Sequence, residues 1–163
     1  MGLATAKLLA SRGAIVSLAD INETSLKAAA KSLTASERHI YTVVDVRQSQ
    51  SIDAWIKSTV DKLGKLDGAV NMAGVISPAK PITEETDETW DFNFNVNARG
   101  VFFCLRAQLR AMSAGGSIVS YLSLLERVSS ISSAHRLSRF LPQVSLGRWE
   151  LLVCLPTAPA RPQ

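Results

Sequence analysis

Along this chain the apolar positions switch repeatedly between helical spacing and the near-continuous runs of buried strands. Residues 2–12 set Ala4, Leu8 and Leu9 on one stripe and Leu3, Lys7 and Ser11 on another, which predicts a helix stopped by Gly13. Residues 14–19 are a nearly unbroken apolar run ending at Asp20, as expected of a strand covered on both faces. Asn22 suits the N-cap of a second helix, with Leu26, Ala29, Ala30 and Leu33 at helical spacing. Residues 40–44 are rich in β-branched side chains and predict a strand, followed by Asp45 and Val46. A third helix is expected over Ser49–Leu63. Its Ile52, Trp55, Ile56, Val60 and Leu63 face inward, Asp53 and Lys57 are placed to pair outside, and Gly64 closes it.

Residues 68–70 then form a short apolar strand that stops in Asn71, Met72, Ala73 and Gly74. Small side chains at a strand end let a flat ligand lie close to backbone, and Asn71 can bond the main chain around the turn. After a loop with Pro78 and Pro81, one long helix is predicted over residues 87–112, with Phe94, Val101, Phe102 and Leu105 apolar. Gly115 and Gly116 break it, and residues 117–121 are a last strand. Helix and strand alternate with short connections. The prediction is an α/β fold: a doubly wound parallel sheet with right-handed crossovers and helices on both faces. Past Ser123 the character changes. The remainder is rich in Ser, Arg and Pro, has no Lys, and keeps neither period, except that residues 151–155 could form a strand. The expected organisation is a domain over residues 1–123 and an irregular tail over 124–163.

Composition fits this picture: 47% hydrophobic and 20% charged residues are ordinary for a soluble globular chain. The net charge of +4 is uneven. Residues 1–92 hold ten Lys/Arg against twelve Asp/Glu, whereas residues 93–163 hold eight Arg against two Glu. Those arginines are scattered and not interleaved with aromatics, so no nucleic-acid partner is expected. Cys104 and Cys154 give no disulfide framework, and no Cys/His cluster suggests a metal. A reducing, cytoplasmic setting is expected. Lys7 and Arg12 interrupt the apolar N-terminus, so neither a leader nor a membrane span is expected.

Taken in order over residues 1–123, these signals resemble the short-chain dehydrogenase/reductase family of Rossmann-fold nicotinamide oxidoreductases. Gly2, at the head of a helix, resembles the last glycine of the family's glycine-rich turn, where backbone N–H groups and a helix N-terminus hold the cofactor pyrophosphate. Asp20, at a strand end eighteen residues later, matches the carboxylate that accepts bonds from the adenosine ribose hydroxyls. It repels the 2′-phosphate of NADP, so NAD is the implied cofactor. Asp45 and Val46 resemble the family's adenine-side pair. Asn71, Ala73 and Gly74 resemble its Asn-Asn-Ala-Gly turn, with Met72 in place of the second Asn. Asn97 matches the asparagine that holds a local distortion of a long helix and positions a water in the proton relay. Ser123 matches the serine that hydrogen-bonds the substrate carbonyl. The resemblance implies an alcohol/carbonyl substrate and a possible homo-oligomer through residues 87–112.

The pattern then departs. The family's general acid/base Tyr, and the Lys one helical turn beyond it that lowers the Tyr pKa, have no counterpart. The only tyrosines are Tyr41 and Tyr121, no Lys follows Lys80, and the window reads Ala134-His135-Arg136-Leu137-Ser138-Arg139-Phe140. The family's opening strand, central in its sheet, is also missing. The expected fold is therefore an incomplete Rossmann-like sheet lacking its first and C-terminal strands. The chain is expected to be the truncated or frame-altered product of such a gene, without turnover. The Asp20 and Asn71 strands would face an open gap, which residues 151–155 could fill, although their pattern does not demand it.

Overall fold

The computed structural model describes residues 1–78, 80–112, 114–121 and 152–155. Helix α1 (Gly2–Ser11) leads through Gly13, at φ +89°, into strand β1 (Ser17–Asp20). The apolar run starts three residues before the strand does. Ala14 N–H is still bonded to Leu9 O of the helix end, and Val16 N–H is taken by His39 Nδ1 at 3.0 Å, so ladder pairing begins only at Ser17. Helix α2 (Glu23–Lys31) is capped as predicted, with Asn22 Oδ1 accepting Ser25 N–H at 2.9 Å. Strand β2 (Ile40–Val43), helix α3 (Ser49–Leu63) and strand β3 (Gly68–Asn71) follow. Gly64, at φ +85°, ends α3 by donating its N–H to Val60 O. On the outer face of α3, Lys57 pairs with Asp61 at 2.6 Å rather than with Asp53; both carboxylates lie one turn from it and the ammonium takes the C-terminal one.

The predicted long helix is interrupted. Helix α4 (Asp87–Phe94) passes into a π-helical segment, Asn95–Gly100, and then into helix α5 (Val101–Ala111). Such one-turn widenings occur where a helix is pulled out of register by an outside contact, and the functional-site geometry below supplies one. Strand β4 is Ser117–Ser120, and strand β5 is Leu152–Leu155.

The sheet order is β2-β1-β5-β3-β4. β1 pairs parallel with β2, and β3 parallel with β4. β5 lies between β1 and β3 and is antiparallel to both. The gap beside the Asp20 and Asn71 strands is therefore closed, and by a strand from within residues 151–155, the segment that the sequence offered as a possible filler. Antiparallel ladders need only an extended segment with free donors and acceptors at strand spacing, so a strand from the far end of the chain satisfies both flanks.

Helices cover both faces. Leu18 and Val70 point toward α1 and α2, joining Ala6, Ala10, Leu26 and Ala30. Ala19 and Ala69 point to the other face, joining Ile52 and Trp55 of α3 and Phe103, Cys104 and Ala107 of α5. Successive strand residues thus enter opposite cores, which is why these strands read as continuous apolar runs. One buried polar knot ties α3 to β1. Trp55 Nε1 donates to Ser17 Oγ at 2.9 Å, and the Ser17 and Thr59 hydroxyls lie 2.8 Å apart. Thr59 gives its own proton to Trp55 O, so Ser17 is the donor to Thr59.

Candidate functional site

β1 and β3 are each antiparallel to β5, so they run parallel to each other and end at the same edge of the sheet. Ala19, Leu152 and Asn71 form one register row, with Asp20 one residue beyond it. The two strand ends are separated by one intervening strand, roughly 10 Å. α1 packs back over β1 through Ala6 and Ala10, which puts Gly2 at that same edge. Asp45 and Val46 follow β2 there, next to the Val44 N–H bond to Asp20 O at 3.0 Å. Gly2, Asp20, Asp45, Val46, Asn71, Ala73 and Gly74, spread over more than seventy residues of sequence, converge on one carboxyl edge.

Their local chemistry differs. Asp20 is half-buried, and its Oδ1 accepts Asn22 N–H at 2.8 Å. Asp45 is gripped by Arg47, with Nε donating to Oδ1 and Oδ2 at 2.9 and 3.0 Å and a terminal nitrogen at 2.6 Å from Oδ2. Val46 is buried against Gly100. Asn71 is not bonded to turn backbone through its amide. Its Nδ2 donates to Gln108 Oε1 and to Ser120 Oγ, both at 3.0 Å, and its Oδ1 accepts Gln108 Nε2 at 2.7 Å. The sequence-based expectation of side-chain bonds to the main chain is corrected: a buried amide lies in reach and offers both a donor and an acceptor.

Asn97 accounts for the π-helical turn. Its Oδ1 accepts Val75 N–H and its Nδ2 donates to Val75 O, both at 2.8 Å. A single side-chain amide thus completes both polar groups of a buried residue just past Gly74. The clamp pulls the helix toward the turn and leaves space beside Gly74, where an added Cβ would lie 3.4 Å from Asn97 Oδ1. At Gly100, an added Cβ would meet Val46 Cγ2 at 3.0 Å and Val46 O at 3.3 Å, so a side chain there would crowd the β2 end and glycine lets the helix sit this close without displacing it. Ser123 lies outside the described residues.

The protein-family model described as Enoyl-(Acyl carrier protein) reductase matches residues 1–136. The short-chain dehydrogenase/reductase aba4 of Botryotinia fuckeliana is 47% identical over 130 residues, 76% of this chain and 50% of that protein. The chain belongs to the short-chain dehydrogenase/reductase family. The ABA4 protein of Pyricularia oryzae is 38% identical over 129 residues, 76% of this chain and 48% of that protein. Among solved structures, levodione reductase aligns with TM-score 0.70 and 31% identity over 73% of this chain and 48% of that one. The glucose/ribitol dehydrogenase from Brucella melitensis aligns with TM-score 0.67 and 28% identity, covering 74% of this chain and 52% of that one. The chain spans about half the length of the curated relatives it matches. The Rossmann-like α/β expectation stands, with one antiparallel strand at the centre of the short-chain dehydrogenase/reductase sheet.

Sequence reading missed Gln108, Ser120 and Arg47. For Gln108 a signal existed: it falls on the stripe of Val101, Cys104 and Ala111, and a polar residue on an apolar helical stripe calls for a buried partner. An open groove of about 350 Å³ between α3 and α5 holds none of the predicted residues. Among the described residues there is no cluster fit for a metal, and no helix is long and apolar enough to cross a membrane.

Proposed function

We propose that this chain forms the adenosine-binding half of a short-chain dehydrogenase/reductase and holds NAD(H) at the carboxyl edge of its sheet. The observation that supports the reading is the return of Asp20 and the Asn71–Gly74 turn to one edge, one strand apart. The residues fit that half of the cofactor. α1 has no acidic side chain in its first turn and no side-chain cap, so an anion there meets backbone N–H groups and no competing carboxylate. Asp20 would take the ribose hydroxyls and disfavour a 2′-phosphate, Asp45 and Val46 would flank the adenine, and the Asn71, Ala73 and Gly74 backbone would pass beneath the ligand.

Bound NAD(H) would supply a hydride donor or acceptor for an alcohol/carbonyl pair, the chemistry of this oxidoreductase family. The chain's own contribution stops at binding and orientation. No Tyr-x-x-x-Lys pair occurs in these 163 residues. The 163-residue chain on this reading binds the cofactor without turnover. Titration with NADH, followed by its fluorescence and by the protein's melting temperature, tests this. Saturable NADH binding is expected, weaker for NADPH and for Asp20→Ala; no binding refutes the adenosine site, and NAD reduction with any alcohol refutes the lack of turnover.

A second reading is favoured by the outer face of α4 and α5. Trp90 and Phe94 stack at 5.9 Å, each 48% exposed, and Phe102 and Leu109 are 56% and 65% exposed. Such a row suits a non-catalytic module that pairs with a second copy or a full-length relative. Sedimentation as a monomer at all concentrations would rule out self-pairing.

A further inference from the structure

We infer that Gln108 is a positioning residue of the dinucleotide edge, and the inference rests on the adenosine-site reading above. Gln108 and Asn71 are 0% and 1% exposed, and their amides face each other head to tail in a closed pair of hydrogen bonds at 2.7 and 3.0 Å. The second Asn71 N–H reaches Ser120 Oγ at 3.0 Å, while Asn71 O accepts Tyr121 N–H at 2.9 Å. One glutamine on α5 thereby sets the orientation of the last residue of β3 and, through it, the last residue of β4. The first strand runs on into Met72–Gly74, and the second leads toward Ser123.

An amide ring of this kind has one donor and one acceptor on each partner, so it fixes direction as well as distance. A leucine of similar size would fill the same space but would leave the Asn71 amide buried without a matching partner. Asn71 would then be free to rotate toward the turn backbone, and the Met72–Gly74 path would no longer be held against α5. Gln108 is fully buried and bonded to the Asn71 side chain, so its effect on the edge is transmitted through Asn71.

The test uses the full chain and Gln108→Leu, with Asn71→Leu/Gln108→Leu as the control for folding. NADH affinity is measured well below the melting temperature of each variant, together with amide hydrogen exchange. For Gln108→Leu the expected result is about tenfold weaker NADH binding and faster exchange confined to residues 71–75 and Tyr121. In the double variant, removing both polar partners restores thermal stability but leaves NADH binding weak. If Gln108→Leu binds NADH like the parent, or if its exchange rises uniformly over α1, β1 and the turn alike, Gln108 contributes stability only and the inference is overturned. If the parent itself binds no NADH, the adenosine-site reading fails; exchange at residues 71–75 still decides whether Gln108 holds that turn.

Discussion

Replacing Asn97 gives the sharpest check on how this edge is held. In Asn97→Ala, Val75 loses a donor and an acceptor partner at 2.8 Å each, at a position where Asn97 and Val75 are only 7% and 8% exposed. Leaving a buried backbone N–H or C=O unpaired costs about 1–3 kcal/mol, so the pair together costs about 2–6 kcal/mol. The gain in helix propensity from Asn to Ala, about 0.5 kcal/mol, does not offset that. Against a domain stability of about 5–15 kcal/mol this is a large fraction, and for a chain of this size it lowers the melting temperature by about 3–20 °C. Asn97→Asp separates the two bonds. A carboxylate still accepts Val75 N–H but sets a second acceptor against Val75 O, so near neutral pH this variant is expected to be at least as unstable as Asn97→Ala. Burial raises the pKa of the introduced carboxyl, and its proton restores the missing donor, so the deficit relative to the parent shrinks as pH falls from 7 toward 5. Urea unfolding followed by tryptophan fluorescence at several pH values measures both effects. A loss below about 0.5 kcal/mol in Asn97→Ala, or an Asn97→Asp deficit that grows with acidity, would refute the clamp.

Two further outcomes follow from the same packing. Gly100→Ala gains about 1 kcal/mol of helix propensity, but its Cβ would sit 3.0–3.3 Å from Val46, and overpacking of that kind costs about 1–3 kcal/mol. A net loss is expected, and a smaller one in the Val46→Ala background, which removes Cγ2 but keeps the Val46 Cβ and carbonyl oxygen at 3.1 and 3.3 Å; a double-mutant cycle by urea unfolding measures the difference, and independence of the two sites would contradict the contact. Cys104 is 1% exposed, and burial pushes its thiol from 9.0 up to about 12. With Cys154 replaced by Ser, native protein at pH 8 should not react with a thiol reagent, whereas denatured protein reacts at once. Because the folded state holds this proton more tightly than the unfolded state, its stabilising contribution is complete below pH 9.0 and is lost as pH rises toward about 12, which alkaline unfolding curves against Cys104→Ala would show.

Much of this molecule is legible from local pattern. The runs ending at Asp20 and Asn71 are apolar because alternate residues enter two cores, Asn22 and Gly64 mark helix ends through their own bonding capacity, and the site residues stand at strand ends where small side chains and a carboxylate are conspicuous. Periodicity carries that information because it reports which face of an element is covered. It does not report what an element is bonded to. The π-helical turn follows from an amide reaching a residue twenty-two positions earlier, and Gln108 reads as an oddity on an apolar stripe until Asn71 is found opposite it. The central strand is the extreme case. Nothing in residues 152–155 encodes a direction or a neighbour, since an extended backbone offers the same donors and acceptors either way. Only the two flanking ladders, formed with strands far away in sequence, decided that this segment runs antiparallel through the middle of the sheet.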